Sequence, residues 1–264
     1  MKQFAGNVVH RSRDEWGPIE VVDEGAVRSL HFGTAARQSA MSLHEPDYLL
    51  LSYTRAMAAA LLFAEAPRRA LLVGLGGGSL AKFLLHHFPT CRVEVVELRQ
   101  EVVETARRHF ALPDSDNLVV LLGDGGRYLN EAPEGGYDLI LIDAYDAIGM
   151  APSLGERDVL GAAYHALHPD GVLSVNTWQA ERRLSAKVQR ELGALFAGRV
   201  LTLPVEEKGN VILHCLGRAV GIRGVAALKR RAVELDRHLA IGLPQQLSAL
   251  RRGNSIPRLA RALL

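Results

Sequence analysis

The chain has 264 residues, 48% of them hydrophobic and 23% charged, with a formal net charge of +2. That is ordinary globular composition, and the length suits one mid-sized domain with a small appendage. A near-neutral charge gives no case for a nucleic-acid or membrane partner, and no apolar run approaches the roughly 20 residues that cross a bilayer.

Residues 1–45 alternate polar and apolar positions. Ile19–Asp23 and Val27–Phe32 read as strands, with Glu24-Gly25 as the turn between them, which predicts a small antiparallel unit. Tyr48–Phe63 is rich in Ala, Leu and Met and reads as a helix, ending before Pro67. From residue 70 strands and helices alternate. Ala70–Val73 runs into a glycine loop, Leu80–Phe88 is helical, Arg92–Leu98 is a strand and Glu101–Phe110 a helix. Leu118–Leu122 and Tyr137–Ile142 are strands, the second a continuous apolar run suited to burial on both faces. Arg157–Leu167 is helical, Gly171–Asn176 a strand and Leu184–Phe196 a helix. Val200–Leu203 and Asn210–Leu216 are joined by a short connection, which predicts an antiparallel pair. Residues 223–264 form a helical tail broken by Gly242 and Pro244. The whole predicts an α/β chain: a Rossmann-like, doubly wound sheet of the class I methyltransferase type behind a small N-terminal antiparallel β unit. The division expected is 1–60 for the β unit and its connecting helix, and 61–264 for the nucleoside-binding catalytic domain with its helical tail.

Gly74-Leu75-Gly76-Gly77-Gly78-Ser79 follows a strand and opens a helix, so backbone N–H groups are free to meet a ligand. Ser79 stands where G-x-G-x-x-G would have its last glycine; Gly74, Gly76 and Gly78 fit G-x-G-x-G, the spacing of adenosylmethionine-binding loops. Glu97 ends the next strand about 20 residues on, the usual place of an acid that accepts ribose hydroxyls. Asp124, between Gly123 and Gly125 at the end of the third strand, either accepts the adenine amine or is a turn aspartate.

Asp143-Ala144-Tyr145-Asp146 follows the apolar fourth strand, at the sheet edge where open α/β folds bind ligands. Two carboxylates and a phenol there suit a cationic amine that must lose a proton before it attacks. Asp143 and Asp146, with Tyr145, are the catalytic candidates; Asp146 reads equally as a loop cap. The short basic stretches at residues 11–13, 182–183 and 229–231 read as solvated faces. Cys91 and Cys215 form no C-x-x-C pair and His86-His87 has no partner at ligand spacing, so no metal is expected. Isolated cysteines, and an N-terminus without a signal-peptide core, suit a cytoplasmic protein.

Taken in order, these residues resemble the spermidine synthase family of polyamine aminopropyltransferases over about residues 16–216. Gly17-Pro18-Ile19-Glu20-Val21-Val22 is similar to that family's N-terminal hairpin entry, and Gln38 falls where the family has a glutamine near the cofactor. Val95-Val96-Glu97-Leu98, Glu101–Arg107, Gly123-Asp124-Gly125 and Tyr137–Asp143 match its successive motifs. The resemblance implies that Gln38, Gly74, Gly76, Gly78, Glu97, Asp124, Gly125 and Asp143 hold the cofactor, and that Tyr53 and Asp146 hold the substrate. It implies decarboxylated adenosylmethionine or adenosylmethionine as co-substrate, and a small-molecule amine as acceptor.

Three departures concern the amine side. The family's loop aspartate falls on Gly76, its Y-H-E segment is Tyr53-Thr54-Arg55 here, and Ala147 follows Asp146 where the family has proline. Arg55 is therefore a candidate partner for an amino-acid carboxylate. An aminopropyltransferase, a methyltransferase on the same scaffold and a non-catalytic nucleoside-binding relic all stay open. Unpaired edges of the N-terminal β unit also suit a homodimer.

Overall fold

The computed structural model describes residues 4–144, 152–205, 209–221 and 224–254. Two sheets organise it. The first is antiparallel, with β1 (Asn7–Asp14), β2 (Gly17–Glu24), β3 (Val27–His31) and β4 (Ser39–Ser42) adjacent in chain order. The expected hairpin is β2–β3, turning at Gly25 with φ of 60°. The sequence does not announce β1 or β4. β1 lies largely against solvent and so lacks apolar alternation, and β4 is only four residues long. Ile19, Val21, Leu30, Phe32 and Met41 make the inner face of this sheet.

The second sheet has seven strands in the order β10-β11-β9-β8-β5-β6-β7. β5 (Arg69–Val73), β6 (Arg92–Glu97), β7 (Leu118–Leu122), β8 (Tyr137–Ile142) and β9 (Leu167–Trp178) run parallel. β10 (Val200–Pro204) and β11 (Asn210–Leu216) close one edge as the predicted antiparallel pair. The chain moves outward from β5 through β6 to β7, then returns to β8 on the other side of β5. The strand order therefore reverses between β5 and β8, and the crevice of such a fold opens there.

Alternation along the central strands supplies both cores. Ala70, Leu72, Leu139 and Leu141 face one layer, built from α1 (Ser52–Ala58), α2 (Ser79–His87), α3 (Gln100–His109), α7 (Val225–Leu239) and α8 (Leu243–Gly253). Leu71, Val73, Ile140 and Ile142 face the other, built from α4 (Gly125–Glu131), α5 (Arg157–Ala166) and α6 (Arg182–Leu195). Each fully buried aliphatic side chain contributes about 1.5–3 kcal/mol. The continuous apolar run of β8 is thus two alternating sets serving opposite faces. Val102 and Phe110, at α3 and its C-terminal end, pack instead under the small sheet and join it to the large one.

Four local differences from the sequence reading have physical causes. The helix expected over 48–63 begins at Ser52 and tightens to a 3-10 turn over Ala59–Leu62, because Arg55 reaches back to bind the carbonyls of Leu49 and Leu50, each at 2.8 Å. α4 is masked in the sequence by its opening glycines. β9 begins at Leu167, ahead of Gly171, with a bulge opposite Tyr137–Leu139. Arg231 is half-buried rather than solvated: it donates to the carbonyls of Leu61, Leu62 and Ala64, capping the turn after α1. Among the described residues, no helix is long and apolar enough to cross a membrane.

Candidate active site

The glycine loop joins β5 to α2. Gly74, Gly76 and Gly78 have φ of 99°, 53° and 73°, a region that side chains with a Cβ rarely enter. Only Gly74 is also closed in by backbone. A Cβ there would lie 2.3 Å from the Asp143 carbonyl oxygen, because the ends of β5 and β8 meet at that point. The Asp143 N–H donates to Val73 O at 2.9 Å, and the Gly74 N–H donates to Val96 O at 2.9 Å. Gly76 is open by contrast, with Ser39 Cβ nearest at 3.6 Å. Ser79, in the place of the third glycine, lies 3.2 Å hydroxyl to hydroxyl from Ser39 of β4. The small sheet is therefore laced to the ligand loop, which sequence reasoning missed.

Glu97 ends β6 beside this loop and is buried. Its Oε2 accepts the Leu75 N–H at 2.9 Å and its Oε1 accepts the Arg99 N–H at 2.9 Å. Burial raises its pKa above the usual carboxylate range, against the pull of these two amides. Each oxygen keeps a second lone pair, so the carboxylate can shape the loop and still accept ribose hydroxyls. Arg99 is itself buried and makes a forked pair to Asp14 of β1 at 2.8 and 2.9 Å, over the Phe32 ring.

Asp124 is exposed one strand further out, and the turn it ends is a helix start. Its Oδ1 accepts the Arg127 N–H at 2.8 Å, so it is the N-cap of α4. Gly125 is forced by packing: a Cβ would lie 2.3 Å from Val73 Cγ1.

Asp143 follows β8 at the switch point. Burial raises its pKa; hydrogen bonds from Asn176 and Tyr53 oppose the rise without cancelling it. The Asn176 Nδ2 donates to Oδ1 at 2.8 Å. Tyr53, on α1, has one hydroxyl proton, which it shares between Asp143 and the carbonyl of Gln38, 3.2 Å away. The structure thus brings Gln38, Tyr53 and Asp143 into one cluster, beside the loop of Gly74, Gly76 and Gly78. Asn176 is the residue that sequence reasoning passed over; its signal was a lone amide at the end of an apolar strand. Arg55 spends one nitrogen, Nη1, on the carbonyls of Leu49 and Leu50, each at 2.8 Å. Tyr145 and Asp146 lie outside the described residues.

Chemically, the site offers a backbone cradle at a helix N-terminus, a buried acid at the end of β6 and a second, half-buried acid two strands over, after β8. Comparison with known proteins agrees with this arrangement. A family model, the spermine/spermidine synthase domain, matches residues 50–205. The chain is 33% identical to the polyamine aminopropyltransferase of Chromobacterium violaceum over 237 residues, 89% of this chain and 90% of that protein. The structure of human methyltransferase-like protein 13 in complex with SAH superposes with a TM-score of 0.66 at 29% identity, covering 72% of this chain and 93% of that one. A spermidine synthase in complex with the transition-state analogue AdoDATO shares the fold, with a TM-score of 0.72 at 16% identity over 91% of this chain and 85% of that one.

Proposed function

From the premise that this chain belongs to the spermine/spermidine synthase family, we propose that it transfers an aminopropyl group from decarboxylated adenosylmethionine to a small amine. The observation that carries the reading is Asp143, a half-buried carboxylate at the switch point whose backbone borders the glycine loop at Gly74. The acceptor nitrogen uses its lone pair to form a bond to the propyl carbon. The carbon–sulfur bond breaks, its electron pair goes to sulfur, and methylthioadenosine leaves. The nitrogen can attack only after losing a proton, and Asp143 is the base placed to take it. Most of the remaining demand is alignment of nucleophile and carbon, which the cradle and Glu97 provide.

The decarboxylated donor carries an ammonium and no carboxylate. Arg99 supports that choice: its buried guanidinium is forked onto Asp14, so it does not stand ready for a donor carboxylate. The likeness to a SAH-bound methyltransferase keeps methyl transfer as the second reading. Calorimetric titration with decarboxylated and intact adenosylmethionine, followed by product analysis with an amine panel, separates them. Preference for the decarboxylated donor with release of methylthioadenosine is expected. Preference for the intact donor with release of adenosylhomocysteine overturns the proposal, and tight binding without turnover of any amine makes the chain a relic.

A further inference from the structure

We propose that Asn176 and Asn210 form a two-amide relay that aims Asp143 and keeps its carboxylate in the proton-accepting form, making both asparagines positioning residues for the transfer. The inference rests on the reading of Asp143 as the base.

Strand register creates the relay. β8 and β9 run parallel with Ile142 beside Val175, so Asp143 and Asn176 come side by side one step further on. β11 runs antiparallel to β9 with Asn210 opposite Trp178, which sets Asn210 diagonal to Asn176. Asn176 is only 3% exposed, so its amide must find partners within the protein. Its Nδ2 donates to Asp143 Oδ1 at 2.8 Å, and its Oδ1 accepts from Asn210 Nδ2 at 3.0 Å.

The second bond decides the first. An asparagine amide can be turned over, exchanging its donor and acceptor ends, and its surroundings choose the orientation. Asn210 presents a hydrogen to Asn176, so the Asn176 oxygen faces Asn210 and the NH2 faces Asp143. A donor in that place favours an ionised carboxylate. Were the amide reversed, an oxygen would face Asp143, and only a protonated carboxyl would satisfy it. A residue on β11 therefore biases the charge of a side chain on β8.

Among the described residues, Tyr53 is the other group that adds to this bias. The groups facing Asp143 are Asn176 from β9 and Tyr53 from α1; Tyr53 is the titratable one, and no charged side chain among the described residues acts on Asp143. The glycine loop packed against it brings only backbone. Further along β11, His214 lies opposite Ser174 and is kept neutral, its pKa lowered by burial to about 3. The carboxyl is thus set between burial, which raises it, and two hydrogen bonds, which lower it.

The test reads Asp143 directly. Protein labelled with 13C at aspartate carboxyls is titrated by NMR without substrate, the Asp143 signal being assigned from the Asp143→Asn spectrum. Asn210→Leu removes the donor without adding charge. It is expected to raise the Asp143 titration by about a fivefold change in ionisation constant, the worth of one neutral hydrogen bond. Asn210→Asp, which offers an acceptor in its place, is expected to raise it further. In turnover assays, the acidic limb of the kcat profile should move with the NMR titration while KM for the amine holds. An Asp143 titration unmoved in both the Leu and Asp variants overturns the relay. Because the titration needs no turnover, it decides the relay even where every amine fails as acceptor, the result that would instead sink the functional reading.

Discussion

Gly74→Ala should be far more damaging than Gly76→Ala, although the two glycines sit two residues apart in one loop. At Gly74 an added Cβ meets the Asp143 carbonyl oxygen at 2.3 Å and its carbon at 2.9 Å, both backbone atoms that cannot turn aside. Holding a side-chain-bearing residue at φ of 99° adds strain of about 1–3 kcal/mol. Overpacking against fixed neighbours adds about 1–3 kcal/mol more. The sum, roughly 2–6 kcal/mol, is a large share of the 5–15 kcal/mol that a domain usually has. At Gly76 the nearest atom is 3.6 Å away, so only the left-handed strain remains, about 1–2 kcal/mol. With a urea dependence near 3 kcal/mol per molar, the midpoint should fall by about 1–2 M for Gly74→Ala and by well under 1 M for Gly76→Ala. The Gly74 variant should also lose activity beyond its instability, because whatever relieves the clash moves Asp143. Displacements near 1 Å at reacting groups cost about 100-fold in rate. Equal urea midpoints for the two variants, or a Gly74→Ala protein with parental kcat, would refute the argument.

Two further perturbations address the acids. Glu97→Gln keeps the shape but must turn an NH2 toward either Leu75 N–H or Arg99 N–H, both donors; stability should fall by about 1–3 kcal/mol, and calorimetry should show markedly weaker binding of methylthioadenosine, whereas unchanged binding would separate Glu97 from the ribose. Asp143→Asn should abolish most turnover, by about 100- to 10,000-fold, while raising Tm. The sign follows from the raised carboxyl: the folded state disfavours the charge, so removing it stabilises at neutral pH, and the gain should vanish as pH falls below about 4, where the unfolded carboxyl is also neutral. A gain near 1 kcal/mol corresponds to about 2–4 °C by calorimetry; a lower Tm at pH 7 would show that Asp143 is not strained by its burial.

The large sheet was legible because each of its inner strands carries its own evidence. β8 is apolar at every position but Asp138, and β5 and β6 sit on either side of a loop whose glycines have few other uses. The small sheet was half legible. β2 and β3 each bury a run of residues, Ile19–Val22 and Ser29–His31, and show it in their apolar content, whereas β1 contributes a ladder and an Asp14 clasp on Arg99 without burying an apolar face. α1 was seen but placed too early, since the signal for its start is not a cap residue. It is Arg55, three residues inside, taking the carbonyls that a longer helix would have used.

The same distinction runs through the site. The nucleoside half is made by backbone and by residues at fixed offsets from it: glycines whose φ is positive, and Glu97 at the next strand end, receiving N–H groups from its own neighbourhood. Such a half can be read from spacing. The proposed amine half draws on Tyr53 from α1, Asp143 after β8, Asn176 on β9 and Asn210 on β11, and no spacing links four elements that meet only in the folded chain. Asp143 could be proposed from the sequence because strand ends are privileged positions; Asn176 could not, because the role proposed for it depends on which end of its amide points inward. A site whose acceptor side is held by neutral amides around one carboxylate can tune that carboxylate through hydrogen-bond direction, and a substitution on β11 then acts on the same quantity as a substitution beside the substrate.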